Sequence, residues 1–260
     1  MNMNVVESIE ELTMNAWPSL QTVTYGGWLL RFANGYTKRA NSVHAMYGAN
    51  RDEAESEAVL TARIEASEAL YEREGQPAIF KLTPICPSLL DAELQKRNYA
   101  IADPSRVMLM ESLEHVPVPH LSRIVVETAL SNEWLARMCA FNEITEANKV
   151  NCANMIKQSK AKQAFFTLYD DDRPVACGLG ALERGYLGLY DIVTNRSDRN
   201  RGYGAELILH MLAWARMNGA TKSYLLVVGN NAPANRLYEK LNYKEVYRYW
   251  YRVQQNVGFI

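Results

Sequence analysis

Lys96-Arg97-Asn98-Tyr99 and Lys240-Leu241-Asn242-Tyr243 stand 144 residues apart, and the same offset, without a gap, sets Ile64 on Ile208, Ala69 on Ala213, Gly75 on Gly219, Phe80 on Tyr224 and Leu82 on Leu226. Helix, stop-glycine, apolar strand, helix and a closing Asn-Tyr therefore recur in register, which predicts one fold used twice along the chain. A length of 260 residues suits two domains of ordinary size. His115-Val116-Pro117-Val118-Pro119-His120 supplies the joint: two alternating prolines fix φ, remove amide donors and favour an extended connector. The expected domains are residues 1–115 and 121–260.

In the first half, Trp28 to Phe32 and Arg39 to Tyr47 read as strands around the turn Ala33-Asn34-Gly35. Ala54 to Arg73 has helical spacing stopped by Gly75; a strand at Ala78 to Leu82, a helix at Ser88 to Arg97 and a strand at Arg106 to Met110 follow. In the second half, Arg123 to Glu127 reads as a strand, and Asn132 to Phe141 and Asn148 to Ser159 as helices. Ala164 to Tyr169 and Pro174 to Leu182 form a hairpin across Asp170-Asp171-Asp172-Arg173. Leu187 to Val193, Ser223 to Val228 and Val246 to Val253 are strands separated by helices at Tyr203 to Asn218 and Pro233 to Leu241. Strand and helix alternate from Leu187 onward, so the fold class is α/β (α+β): two mixed-sheet modules, the C-terminal one complete.

Composition narrows the function. With 48% hydrophobic residues there is apolar material for two cores, and a formal net charge of −1 gives no uniformly basic surface for nucleic acid. Cys86, Cys139, Cys152 and Cys177 lie far apart and form none of the close pairs a structural zinc site needs, so no metal is expected and the thiols are read as reduced. The segment from Met1 to Met14 carries Glu7, Glu10 and Glu11 in place of a basic and then apolar leader, and no run of about 18 apolar residues occurs. The expected protein is cytoplasmic, a monomer or homodimer, with no membrane partner. His44, His115, His120 and His210 are scattered and take no role.

The informative segment is Arg199-Asn200-Arg201-Gly202-Tyr203-Gly204-Ala205, between a strand and a long helix. Its glycines let the backbone turn and approach a ligand, the first amides and positive end of the helix face the same point, and Arg199 and Arg201 add charge; the combination suits a pyrophosphate. A glycine pair alone would be an ordinary helix entry. Here Asn231-Ala232-Pro233-Ala234-Asn235-Arg236-Leu237-Tyr238-Glu239-Lys240 follows about thirty residues on. Arg-x-x-Gly-x-Gly/Ala followed by Asn-x-x-Ala-x-x-Leu-Tyr-x-Lys resembles the GNAT (GCN5-related N-acetyltransferase) superfamily, and the matching element order covers Arg123 to Val253. Asn242-Tyr243 departs from the Gly-Phe of many members but keeps the aromatic.

The resemblance implies an acetyl-CoA-dependent N-acetyltransferase whose partner is a small-molecule amine. It implies that the backbone amides of Arg201, Gly202, Gly204 and Ala205 hold the CoA pyrophosphate, with Arg199 and Tyr203 among the cofactor-binding residues. Ile192 and Val193, at the end of the preceding strand, and Asn231 meet the pantetheine arm, and Tyr238 stands near the sulfur as general acid. Asn231 has a second reading as a helix cap, and Tyr238 as packing. An ammonium of pKa about 10.4 leaves only about one amine in 10³ ready at neutral pH, so a base is useful. Asp191 is the only carboxylate between Tyr186 and Val193, and Glu183 is the alternative; strand alternation sets Asp191 with Leu189 and Val193, and Tyr190 with Gly188 and Ile192. At the 144 offset the glycine loop faces Glu55-Ser56-Glu57-Ala58-Val59-Leu60, whose carboxylates would repel CoA, so the first half reads as a degenerate GNAT-like module. Trp28, Arg31, Tyr36, Arg39 and Asn41 either line an acceptor pocket or pack that half. The architecture resembles tandem acetyltransferases with which some bacteria disarm amine-bearing antibiotics, which puts resistance or self-protection among the expected roles; a protein lysine or N-terminal acetyltransferase and a CoA-binding sensor without turnover are the alternatives.

Overall fold

The computed structural model describes residues 2–47, 56–120 and 123–254; Ala54, Glu55, Leu121 and the chain beyond Gln254 lie outside them. The chain divides into two compact units, residues 1–106 with 228–230 and 247–260, and residues 107–227 with 231–246. The division falls at Arg106/Val107, inside a strand, and not at the Pro117 and Pro119 connector. The reason is strand length: an expected strand of five residues runs as twelve, Tyr99–Met110, and passes from one unit into the other.

The first unit opens with α1 (Met3–Ala16), capped by the Asn2 side chain on the Asn4 amide and burying Val6, Ile9, Leu12 and Ala16. It continues through β1 (Gln21–Tyr25), β2 (Trp28–Phe32), β3 (Val43–His44), α2 (Glu57–Arg73), β4 (Ile79–Leu82), α3 (Leu90–Lys96) and the start of β5 (Tyr99–Met110). The strands lie in the order β1-β2-β3-β4, and β4 also pairs antiparallel with the end of the final strand, residues 250–253. The tight hairpin is β1–β2, turning at Gly26 and Gly27 with φ of 54° and 82°, whereas β2 reaches β3 through a long loop pinned by Asn41, whose side-chain oxygen accepts from the Ala33 and Gly35 amides. The expected strand from Arg39 to Tyr47 is thereby reduced to two residues. Trp28, Leu30, Phe80, Leu60, Ile64 and Tyr71 make the core.

In the second unit β5 is followed by β6 (Ile124–Glu127), α4 (Asn132–Phe141), α5 (Glu146–Gln158), β7 (Lys162–Asp170), β8 (Arg173–Glu183), β9 (Tyr186–Thr194), a 3-10 turn at Arg196–Asp198, α6 (Tyr203–Met217), β10 (Lys222–Val228), α7 (Ala232–Lys240) and the start of β11 (Lys244–Gln254). Strand order is β5-β10-β9-β8-β7-β6; β6 to β9 pair antiparallel in turn, and β9 and β10 run parallel. Trp134 of α4 meets Phe165, and Trp214 of α6 meets Phe166; adjacent strand residues point to opposite faces, so α4 and α6 cover opposite faces of the sheet. Met108, Phe166, Leu187, Leu207, Met211, Leu225 and Tyr243 share the core on the α6 side. Among the described residues no helix is long and apolar enough to cross a membrane, and the four cysteines are unbridged.

The repeat positions coincide in conformation. Gly75 and Gly219 are left-handed after their helices, with φ of 64° and 89°, and so are Asn98 and Asn242, with φ of 63° and 65°. The parallel pair β3–β4 ends at His44/Lys81 and the parallel pair β9–β10 at Leu189/Leu225, and Lys81 and Leu225 are again 144 apart.

That last position carries opposite chemistry in the two units. Lys81 is buried, its Nζ 2.5 Å from the fully enclosed carboxylate of Glu10, which also accepts from the Tyr247 hydroxyl at 2.7 Å. Removing one partner of such a pair strands a charge in the core. Lys81→Met should lower unfolding stability by about 3 kcal/mol, while Glu10→Leu with Lys81→Met restores most of it; equal losses in the single and double variants, measured by urea unfolding, would contradict this.

Candidate active site

The site is built around a ladder that stops. β9 and β10 pair from Tyr186/Lys222 to Leu189/Leu225, and beyond that rung Tyr190 to Thr194 and Leu226 onward no longer pair with each other. One feature turns β9 away, and another ties the two strands at the last rung. Opposite β8 the register shifts between Cys177 and Leu179, so that Asp191 and Ile192 together face Gly178, and Asp191 sits at φ 48°. This is a β-bulge, which bends its strand and increases twist. On the other side, the Tyr190 and Tyr224 hydroxyls hydrogen-bond at 2.9 Å. Both rings are buried, and Gly188 makes room for them, because a Cβ there would come within 2.6 Å of each.

The bulge also decides which way the candidate base faces. Ile192 packs over Gly178 beside Leu207 and Met211, on the α6 side. Asp191 lies near Cys139 of α4 and Cys177, whose thiols are pushed up first by burial, with the Asp191 charge adding to it, Cys177 to about 12. Asp191 therefore occupies the α4 face. Strict alternation, which grouped it with Leu189, fails at the bulge: Leu189 is in the core on the α6 side. Glu183, at the end of β8 away from the bulge, faces Tyr186 across the strand pair and contacts Arg184 at 3.7 Å.

After β9 the chain enters the glycine loop. Gly202 is the N-cap of α6 at φ 87°, and a Cβ on it would meet nothing within 4 Å. No side chain caps this helix. Ala205 and Glu206 donate their amides to the Gly202 carbonyl at 3.0 and 3.2 Å, leaving those of Tyr203 and Gly204 without an acceptor among the described residues. The amide of Ala205, expected to face a pyrophosphate, is thus spent inside the helix. Arg201 is likewise engaged: its guanidinium reaches Asp198 at 3.4 Å and Asp170 at 3.5 Å and lies over Tyr203, whose hydroxyl donates to Asp170 at 2.6 Å. Arg199 is exposed, with no partner of its own among the described residues. An anion at the start of α6 would meet two free amides, the positive helix end and one available guanidinium, which fits a pyrophosphate.

Two motif residues sit on α7. Asn231 caps it, its side-chain oxygen accepting from the Ala234 amide at 3.3 Å. Tyr238 is 8% exposed, edge-on to Tyr243, in the same core cluster as Leu189, Leu225 and Val227 around the last rung. Burial alone pushes its phenol up to about 12, and its hydroxyl has no partner among the described residues. Val193 is buried and pairs on one edge with Cys177, its other edge turned to the parting from β10.

In the first unit Trp28 is in the core, edge-on to Phe80, and the buried Arg31 gives its guanidinium to the carbonyls of Arg39 at 2.6 Å and Trp17 at 2.7 Å. Their side chains hold that unit together and leave no surface for an acceptor. Tyr36 and Arg39 are half-buried, Arg39 over the Trp17 ring. Glu57 opens α2 and pairs with Lys96 at 3.1 Å, and Glu55 lies outside the described residues.

A family model described as "Probable histone acetyltransferase Rv0428c C-terminal" matches residues 5–252. The chain belongs to this family. It is 28% identical over 257 residues, 97% of the chain and all of the relative, to the "Uncharacterized N-acetyltransferase YobR" of Bacillus subtilis. In fold it matches a GCN5-related N-acetyltransferase from Kribbella flavida, with a TM-score of 0.73, 17% identity and cover of 98% of this chain and 97% of that one. A tandem GNAT protein from the clavulanic acid biosynthesis pathway matches with a TM-score of 0.67, 11% identity and cover of 96% and 89%. The protein is an acetyltransferase of the GNAT type.

The two loop glycines differ in what they tolerate. A Cβ at Gly204 would make ordinary contacts, 3.4 Å to Leu237 and 3.5 Å to Thr194, whereas any side chain at Gly202 has to take a left-handed φ. Gly204→Ala should change stability by less than about 1 kcal/mol; Gly202→Val should cost about 1–2 kcal/mol and abolish the thermal stabilisation expected of the parent protein with acetyl-CoA. Undiminished stabilisation of Gly202→Val would remove the pyrophosphate from this loop.

Proposed function

We propose that the protein transfers acetyl from acetyl-CoA to the primary amine of a small molecule, amine-bearing antibiotics being one group within that class. The observation that carries the reading is the parting of β9 and β10 beyond Leu189/Leu225, with Tyr203 and Gly204 amides at its end and Tyr238 at its root. Acetyl-CoA supplies the acetyl group as a thioester. The amides of Tyr203 and Gly204 with Arg199 hold the pyrophosphate, and the open edge of Val193 binds the amide-bearing arm as a strand edge binds a peptide. Asp191 takes a proton from the acceptor ammonium. As the new N–C bond forms and the C–S bond breaks, Tyr238 gives its phenolic proton to the sulfur, and the second proton shed by the nitrogen passes to water, from which Tyr238 is reprotonated.

Burial sets the pH behaviour of that acid. A phenol held near 12 stays protonated from pH 6 to 9, so an activity limb in that range belongs to the amine and its base. The same raised value leaves stability unaffected below about pH 10, where unfolded tyrosine is also protonated, and costs stability between about 10 and 12.

We read the two units as copies of one fold in which, among the described residues, only the second has a glycine phosphate loop; the shared left-handed Gly75/Gly219 and Asn98/Asn242 support the common fold. A second acceptor class, a protein lysine, is favoured by the histone acetyltransferase in the family's description. Free-thiol release with acetyl-CoA over polyamines, aminoglycosides, amino acids and lysine peptides separates the two, and release with none of them would leave a CoA-binding sensor. In the same assay Tyr238→Phe should keep acetyl-CoA affinity and lose about 10² or more in kcat; near-parental kcat from pH 6 to 9 would refute the acid role.

A further inference from the structure

A cavity of about 220 Å³ lies beside the cofactor loop, lined by Phe141, Asn142 and Glu143 where α4 ends and by Arg196 and Arg199 after β9. Its wall is polar and carries two guanidinium groups against one carboxylate. Arg199 has no partner among the described residues, and Arg196 holds the Glu143 carboxylate at 3.6 Å. That pair is open to water, the side chains being 82% and 78% exposed, so the carboxylate is exchangeable. Glu143 stands where an incoming carboxylate would sit.

Position assigns the cavity to the acceptor. The residues that end α4 form one wall, on the sheet face that Asp191 occupies, whereas the free amides of Tyr203 and Gly204 open α6 on the opposite face. Asp191 and Arg196 are separated by the last residues of β9, a path of roughly 15 Å at strand rise, and an arginine side chain reaches back several ångströms of it. The two ends have opposite charge. An ammonium at Asp191 and an anion at Arg196 would be on the order of 10 Å apart, the length of an extended di- or tripeptide.

Resting on the acetyl-transfer reading, we propose that this cavity is the acceptor's anion subsite, and that the acceptor is a small amine with a carboxylate about 10 Å away, of the size and charge pattern of a short peptide. The Arg196 guanidinium takes the carboxylate in place of Glu143, which orients the amine toward Asp191 and the parting of β9 and β10, while Arg199, which also lines the cavity, stays with the pyrophosphate.

Matched pairs of glycyl peptides of two and three residues, ending in carboxylate or in amide, test this. kcat/KM should favour the acid at least tenfold; Arg196→Glu should erase the preference by raising KM for the acid, and Glu143→Gln should lower that KM several-fold. Equal rates for acid and amide, or a preference that survives Arg196→Glu, would overturn the proposal. If no amine of any kind is turned over, the acetyl-transfer reading fails by itself, and calorimetry with the N-acetylated peptides decides the subsite: acid bound more tightly than amide, and lost in Arg196→Glu, upholds it, and no difference overturns it. A third arm separates the cofactor's own phosphate. If Arg196→Glu weakens acetyl-CoA but not its 3′-dephospho form, the cavity holds the cofactor and the proposal is wrong.

Discussion

The arrangement depends on one interruption, the end of backbone pairing between β9 and β10 at Leu189/Leu225. Two parallel strands in a sheet satisfy each other's amides and carbonyls, and leaving buried backbone groups unpaired costs free energy unless something else pairs with them. Here the bulge at Asp191 and Ile192 turns β9 away while the Tyr190–Tyr224 hydroxyl bond ties the strands beside the last rung. The gap therefore has a fixed root. A ligand that carries its own amides can complete the ladder, which is why the proposed path of the cofactor follows the parting more than any single side chain.

Charge is distributed around that gap with economy. Arg201, the residue nearest the glycines, is held by Asp170 and Asp198 and so shapes the loop, while Arg199 faces outward. In the first unit the position matching Leu225 is Lys81, buried against Glu10. The same parallel rung thus ends in an apolar residue in one unit and in an ion pair in the other, and α2 begins with Ser56 and Glu57 in place of a glycine entry. Among the described residues of the first unit, this rung and the start of α2 carry charged side chains where the second unit has an apolar residue and a glycine.

Much of this was legible in the sequence because it rests on local chemistry. Gly75, Gly219, Asn98 and Asn242 stop helices in conformations that few other residues take, and the shared interval between them is the basis on which we propose a repeat. The glycine loop announced itself by spacing. What escaped is non-local. The Glu10–Lys81–Tyr247 cluster joins residues from three distant segments, so nothing near Glu10 marked α1 as more than a polar opening. The bulge at Asp191 has no proline or glycine of its own, and two-residue alternation consequently grouped the carboxylate with Leu189, which lies on the opposite face. Trp28 and Arg31 allowed both a pocket and a packing role in the sequence, because aromatic and cationic groups recur in both; their burial against Phe80 and the carbonyls of Trp17 and Arg39 makes them structural. The cavity at Arg196 was missed since its other wall comes from the end of α4, more than fifty residues upstream.

Amide hydrogen exchange with and without acetyl-CoA tests the central claim most directly. If the arm completes the interrupted ladder, protection should rise at Ile192 to Thr194 and at Tyr203 and Gly204, and stay level at Tyr186 to Leu189, which are already paired. Protection that appears elsewhere in the chain while these amides exchange as before would place the cofactor outside the β9–β10 parting and overturn the account.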